Sequence, residues 1–125
     1  MKKVHILILT YFIVFTSLAQ AQVVNPDNGH TYQYIPVATE INWTQARDSA
    51  YALGGHLITI TSQEEQDFIE TSLYNVSAEG RLWMGGTDEE VEGTWKWITG
   101  EQWSYTNWYG TNPGNGTEDY LEILT

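Results

Sequence analysis

The spacing of hydrophobic residues predicts two helices in the first half of the chain. Apolar side chains recur on one helical face over residues 43–53 and again over residues 68–73. Asn42 is a typical N-cap for the first helix, and the glycine pair at 54–55 is a typical stop. A capping-box sequence at residues 62–65 precedes the second. The predicted apolar faces are Trp43, Ala46, Ala50 and Leu53 in helix one, and Phe68, Ile69 and Leu73 in helix two.

Short strands and long loops are predicted for the rest of the chain. Aromatic and β-branched residues cluster or alternate in short runs, which is the pattern of strands. The predicted strands are residues 32–37, 57–60, 82–84, 95–97 and 119–124, with Gly85 and Gly86 ending the third. Between them lie an acidic loop at residues 88–93 and a loop rich in Gly, Asn and Pro at residues 109–117. Helices followed by short strands indicate an α+β fold. Four tryptophans are predicted to pack in the core because they lie on a helix face or at alternating strand positions, namely Trp43, Trp83, Trp95 and Trp97.

The N-terminal segment is typical of a secretory signal peptide. Two lysines precede an apolar run over residues 4–18, and Ala19-Gln20-Ala21 is a small-x-small cleavage site. A membrane anchor is the alternative, but the run is shorter than the roughly 20 residues that span a bilayer. We therefore expect an exported protein, secreted or on the cell surface, with no membrane span after cleavage. The predicted organisation is a signal peptide over residues 1–21, a linker over 22–30 and one domain over 31–125.

Composition and charge narrow the classes of function. The 125 residues include 16 acidic and 5 basic side chains and no cysteine, for a net charge of −11. Disulfides, zinc–thiolate sites and cysteine nucleophiles are therefore excluded. Beyond residue 3 the basic side chains are only Arg47, Arg81 and Lys96, which are scattered, so nucleic acid is not an expected partner. The hydrophobic fraction of 42% is too high for a disordered acidic tail.

Seven short motifs, in a consistent order, resemble those of the C-type lectin-like domain. The resemblance covers residues 32–123. Its motifs are Trp43-x-x-Ala46, Gly54-Gly55-His56-Leu57, Ser62-x-Glu64-Glu65-x-x-Phe68-Ile69, Leu82-Trp83-Met84-Gly85-Gly86-Thr87-Asp88, Glu92-Gly93-Thr94-Trp95-Lys96-Trp97, Tyr105-x-Asn107-Trp108 and Glu118-Asp119-Tyr120-x-Glu122-Ile123. The resemblance implies two helices, short antiparallel strands and a long loop that binds calcium and a ligand.

The resemblance also implies which residues hold a metal ion and a ligand. Gathering several carboxylates is costly, since two of them about 4 Å apart repel by roughly 1 kcal/mol in water and more in protein. A cation would offset that cost, and oxygen ligands favour calcium over zinc or copper. The alternative is a solvated acidic turn. By resemblance the calcium ligands are Asp88, Glu92, Glu118 and Asp119, and Asn112 and Glu118 stand at sugar-binding positions. Two further ligand-binding candidates are Asn115, which is adjacent to the tripeptide, and Trp108, which borders the loop and either stacks on a sugar or packs in the core.

Three departures from the family pattern accompany the resemblance. Ala50 and Tyr120 stand where the family commonly has bridging cysteines. Asn112-Pro113-Gly114 stands in place of the sugar-site tripeptide Glu-Pro-Asn or Gln-Pro-Asp. The last strand reaches Thr125 without a turn. We therefore expect the domain to continue, with the family's Trp-Asn-Asp segment beyond residue 125.

The sequence thus predicts an exported module that binds carbohydrate through calcium in the long loop. The alternative is a protein-binding or adhesion module of the same fold, with calcium structural or absent. An enzyme is not expected. The acidic residues lie on loops without an apolar pocket to raise a carboxyl pKa, and no nucleophile elbow, phosphate loop or H-E-x-x-H motif is present.

Overall fold

Two helices and five short strands make up the described part of the chain. The computed structural model describes residues 22–73, 81–113 and 116–124, so the predicted signal peptide lies outside it. The elements are β1 (Val23–Val24), β2 (Thr31–Tyr32), α1 (Trp43–Ala52), α2 (Gln63–Leu73), β3 (Arg81–Thr87), β4 (Lys96–Trp97) and β5 (Tyr120–Leu124). Among these residues neither helix is long and apolar enough to cross a bilayer. The predicted α+β class is confirmed.

β3 is the centre of a three-stranded antiparallel sheet with the order β4-β3-β5. Gly86 pairs with Trp97 of β4, and Leu82 pairs with Ile123 of β5. β1 and β2 form a separate antiparallel hairpin. The end of β3 therefore lies next to the beginning of β5, which places the acidic loop beside the residues that follow the long loop.

Helix α1 forms where the sequence predicts it because a reciprocal capping box satisfies the backbone of its first turn. The Asn42 side chain accepts a hydrogen bond from the Gln45 amide at 2.9 Å, and the Gln45 side chain accepts one from the Asn42 amide at 3.0 Å. The Trp43 indole donates to the Met84 carbonyl at 2.7 Å and so fixes the helix against β3. Leu53 does not join the predicted apolar face. It is the C-cap residue, past the last helical turn, and is 66% exposed.

Helix α2 begins with only half of the predicted capping box. The Glu65 amide donates to the Ser62 hydroxyl at 3.1 Å, but the Glu65 carboxylate accepts from the Thr61 amide at 2.8 Å and not from Ser62. The other carboxylate oxygen accepts hydrogen bonds from Asn28 and Tyr32. Glu65 therefore joins the N-terminal hairpin to α2. The side chain of Leu73, the last predicted apolar residue of this helix, lies outside the described part.

The extent of three predicted strands is wrong. Residues 32–37 contribute only Tyr32 to a strand, because Pro36 lacks an N–H and its neighbours are exposed. Residues 57–60 form no strand, although the Ile58 carbonyl accepts a hydrogen bond from Gly85 at 2.8 Å. Strand β3 continues through the glycine pair to Thr87.

The glycines lie inside β3 because neighbouring segments approach it too closely for a side chain. A Cβ at Gly86 would lie 2.2 Å from Leu121 Cδ1, and a Cβ at Gly85 would lie 2.9 Å from the Leu57 carbonyl oxygen. Glycine in a strand often marks such a close approach. These two contacts hold β3 against β5 and against the segment before α2.

The core lies between the helices and the sheet. Its buried members are Tyr32, Ile60, Ile69, Met84, Trp97 and Ile123. Of the four tryptophans predicted to be core residues, Trp43 and Trp97 are buried. Trp83 and Trp95 are only partly buried. The Trp83 indole donates to the Ile41 carbonyl at 2.8 Å.

Candidate functional site

The acidic loop folds around Asp88, the residue that follows β3. One carboxylate oxygen of Asp88, Oδ2, accepts a hydrogen bond from the Gly93 amide at 2.8 Å, and the Asp88 carbonyl accepts one from Val91 at 3.0 Å. Gly93 has a φ of +76°, which glycine adopts without strain. The side chain of Asp88 is consequently enclosed by its own loop, and the residue is only 2% exposed.

The segment that leads into β5 closes against the acidic loop at two points. The Asp88 amide donates to the Asp119 carbonyl at 3.2 Å. Further along, Gly116 lies so close to Glu92 that a Cβ at position 116 would be 3.2 Å from the Glu92 carboxyl carbon. The two loops are therefore in contact at the end of the sheet.

A cavity of about 210 Å³ lies between these loops. It brings together four of the seven residues that the sequence predicts for the site, namely Asp88, Glu92, Asn112 and Glu118. Gly93, Trp95, Pro113, Gly116 and Thr117 complete its lining. Asp119 and Trp108 are not part of the lining, and Asn115 lies outside the described residues.

One oxygen of Asp88, a residue that lines this cavity, has no hydrogen-bond partner in the described part of the chain. Oδ1 is buried and has no hydrogen-bond partner among the described residues, in contrast to Oδ2. A buried polar atom without a partner costs about 1–3 kcal/mol, and more when it carries charge. Asp88 therefore offers a desolvated, negatively charged oxygen that a cation would satisfy.

The carboxylates of the cavity are not gathered into a cluster. In the part of the chain that the structure describes, no three Asp, Glu or His side chains form a group that could hold a metal ion. Glu92 and Glu118 line the same cavity and are exposed.

Tryptophan side chains form the wall next to the cavity. Trp95 lines it directly, and Trp108 packs edge-on against Trp95 with 5.3 Å between ring centroids. Trp103 lies against both rings and also against Trp97. The sequence assigned Trp95 to the core, which misses its place at the cavity. Its position two residues after Gly93, at the end of the acidic loop, was the available signal.

The beginning of β5 is held by aromatic stacking. Tyr120 stacks on Trp43 of α1 with 4.5 Å between ring centroids. The Arg47 guanidinium lies over the Trp43 ring, 5.5 Å from its centroid. Burial raises the pKa of Tyr120, and the hydrogen bond with Glu89 raises it further. By resemblance Tyr120 stands at a cysteine position of the family, so a stacked pair now joins this strand to α1.

The fold and the cavity define a small α+β binding domain, and comparison with known proteins identifies its family. Residues 39–122 match the family described as the lectin C-type domain. The galactose-specific lectin nattectin from Thalassophryne nattereri is 34% identical over 58% of this chain and 46% of its own length. The chain therefore belongs to the C-type lectin domain family, and the resemblance drawn from its motifs is confirmed.

Solved structures of this family share the fold. The carbohydrate-recognition domain of cow CD23, determined in the presence of a GlcNAc2Man3 oligosaccharide, aligns with a TM-score of 0.56 and 34% identity. It matches 66% of this chain and 62% of its own. A calcium-independent type II antifreeze protein aligns with a TM-score of 0.58 and 30% identity, over 66% of this chain and 60% of its own. The family thus includes members that work without calcium, although its domains typically bind the ion.

Family membership fixes the broad class of activity. C-type lectin domains are binding proteins without enzymatic activity, so the prediction that the chain is not an enzyme is confirmed. Membership also supports carbohydrate binding. The chain spans less than half the length of nattectin and of the vertebrate lectins and receptors that it matches.

Proposed function

We propose that the protein is an exported carbohydrate-binding module whose long loop binds its ligand with the help of calcium. The observation that carries this proposal is the buried, unpartnered oxygen of Asp88, a residue that lines the cavity together with two further carboxylates. An oxygen that is desolvated and negatively charged is costly unless a cation or a hydrogen-bond donor reaches it. Calcium would fill that role.

The donor atoms of the cavity fit calcium better than a transition metal. Asp88, Glu92 and Glu118 offer carboxylate oxygens, Asn112 offers an amide oxygen, and the lining contains no sulfur or imidazole. Hard oxygen ligands of these types are typical of calcium sites. By resemblance, Asp119 would add a fourth carboxylate and Asn115 a further amide.

Bound calcium would supply open coordination positions for two vicinal hydroxyl groups of a sugar. The side chains of Asn112 and Glu118 would hydrogen-bond the same hydroxyl groups, since one offers both a donor and an acceptor and the other two acceptors. Both residues line the cavity, which supports this assignment. Trp108 is half-buried against Trp95, so the part of its ring that stays exposed would be the stacking surface for the sugar.

A glycan array tests this function. The full chain, expressed with its own N-terminal segment, is applied in calcium and then in an excess of chelator. We expect binding to one group of glycans that a free monosaccharide competes for and that chelator abolishes. Glu118→Gln should lose the binding, whereas Glu40→Gln, at an exposed position outside the cavity, should retain it. Glycan binding that is unchanged by chelator would contradict the proposal.

A protein-binding or adhesion module of the same fold is the second candidate. It is favoured by Asn112-Pro113-Gly114, which departs from the tripeptides of the sugar-binding members, and by the calcium-independent antifreeze relative. In that case the cavity would serve the fold alone. A protein ligand that stays bound in chelator, with no glycan signal on the array, would support this candidate instead.

Export rests on residues 1–21 and is proposed from the sequence. The test is to express the full chain in a host with a secretory pathway and to measure, by mass spectrometry, the mass of the protein in the culture medium. We expect a mature chain that begins at Gln22. Retention of the intact N-terminus in the membrane fraction would favour the anchor alternative.

A further inference from the structure

Gly116 and Glu92 make a contact that is too tight for a side chain at position 116 unless Glu92 shifts. Gly116 has a φ of +86°, and a Cβ built on it would lie 3.2 Å from both the carboxyl carbon and one oxygen, Oε1, of Glu92. The second oxygen would lie at 3.5 Å. A side chain at position 116 would therefore press on the Glu92 carboxylate, which would have to move by a few tenths of an ångström.

A second glycine of the same loop differs in this one respect. Gly110 also has a positive φ, +64°, but a Cβ there would meet nothing within 4 Å. An alanine at either position pays the backbone strain of the left-handed region. Only an alanine at 116 would also crowd a carboxylate of the cavity. Comparing alanine at position 116 with alanine at position 110 therefore separates the effect of backbone strain from the effect of the contact with Glu92.

We infer that Gly116 is a positioning residue that sets where the Glu92 carboxylate sits, and through it the affinity of the cavity for calcium. The inference rests on the proposed calcium function. Glu92 is exposed, so a crowded carboxylate can swing into solvent without disturbing the core. An added methyl group at 116 would therefore act on the cation affinity more than on the fold.

The contact also couples the two loops. Glu92 belongs to the acidic loop, whereas Gly116 belongs to the loop that carries Asn112, and all three residues line the cavity. A cation that holds Glu92 in place would hold it against Gly116 and so restrain the loop that carries the ligand-binding amide. Coupling of this kind is reciprocal, so a ligand that orders the long loop would raise the affinity for the cation.

Calorimetric titration with calcium chloride tests the inference on the full chain. Wild type, Gly116→Ala and Gly110→Ala are compared, together with their melting temperatures in chelator. We expect the calcium affinity of Gly116→Ala to be lower than that of Gly110→Ala by a factor of about five or more, since contacting residues show coupling of this order. The melting temperatures of the two variants should agree. Equal calcium affinities of the two variants would overturn the inference, while a wild type that binds no calcium would overturn the proposed function beneath it.

A background without the carboxylate provides the second readout. With Glu92→Ala present, Gly116→Ala should weaken calcium binding no more than Gly110→Ala does, because the crowded group is gone. Should Gly116→Ala alone fail to fold, the double variant Glu92→Ala/Gly116→Ala should melt at the temperature of Glu92→Ala/Gly110→Ala. A double variant that remains less stable would place the defect in the backbone of the loop and contradict the role of Glu92.

Discussion

Replacing Asp88 with asparagine separates the stability of the loop from its affinity for calcium. The substitution keeps an oxygen that can accept the Gly93 amide hydrogen bond of 2.8 Å, and it keeps the size of the side chain. It removes the negative charge from a residue that is 2% exposed and whose second oxygen has no partner among the described residues. The variant should therefore be more stable than wild type in chelator and less stable than wild type in calcium.

The magnitudes follow from two costs. An unpartnered buried group costs about 1–3 kcal/mol, and a neutral amide costs less than a carboxylate, so the variant should gain about 1 kcal/mol without calcium. Wild type at a calcium concentration one hundred times its dissociation constant should gain about 2.7 kcal/mol from binding. For a domain of this size 1 kcal/mol corresponds to a shift of about 4–8 °C in melting temperature. The order of the two melting temperatures should therefore reverse on adding calcium.

Differential scanning calorimetry of both proteins, in chelator and in calcium, measures the reversal. Asp48→Asn is the matched control, because it makes the same change of charge at an exposed side chain outside the cavity. The control should respond to calcium as wild type does. If Asp88→Asn were destabilised in chelator and still stabilised by calcium like wild type, the reasoning about the unpartnered oxygen would be refuted.

Two further predictions concern the fold. Gly86→Ala should cost about 1–3 kcal/mol of unfolding free energy in urea, because its Cβ would lie 2.2 Å from Leu121 Cδ1. Gly55→Ala should stay within about 0.5 kcal/mol of wild type, because its Cβ would make only an ordinary contact, 3.9 Å from the Ala50 carbonyl oxygen. Equal midpoints for the two would contradict the contact. Burial, together with the hydrogen bond to Glu65, raises the pKa of Tyr32 from 10 to about 12. The stability that Tyr32 adds is present below pH 10 and should be lost as the pH rises towards 12, since the unfolded chain loses the proton first. The unfolding free energy of Tyr32→Phe should fall less steeply over this range, and an equal slope would refute the assignment.

The elements that the sequence predicts well are those decided by neighbouring residues. The capping box of Asn42 and Gln45 forms as predicted because both partners lie within one helical turn. The second capping box fails in part because Glu65 bonds Tyr32, which lies 33 residues earlier and is not visible in a local pattern. The sequence wrongly predicts a strand end at Gly85 and Gly86 for the same reason, since their close neighbours, Leu57 and Leu121, are distant in sequence.

The residues of the candidate site likewise differ in how far the sequence predicts them. The four residues that reach the cavity were assigned through the family resemblance, and charge alone would have left Glu92 as part of a solvated turn. The contacts of Asp119 and Trp108 depend on how the two loops meet, which spacing along the chain does not determine. Trp95 was missed because alternation with Trp97 indicates a strand face but does not show which part of that face is covered.

The central claim is that calcium and a glycan occupy one site, and their linkage tests it most directly. The affinity of the full chain for calcium is measured by calorimetry with and without a saturating amount of the glycan that the array identifies. The account predicts that the glycan raises the calcium affinity by the same factor by which calcium raises the glycan affinity. Calcium affinities that agree with and without the bound glycan would contradict the account.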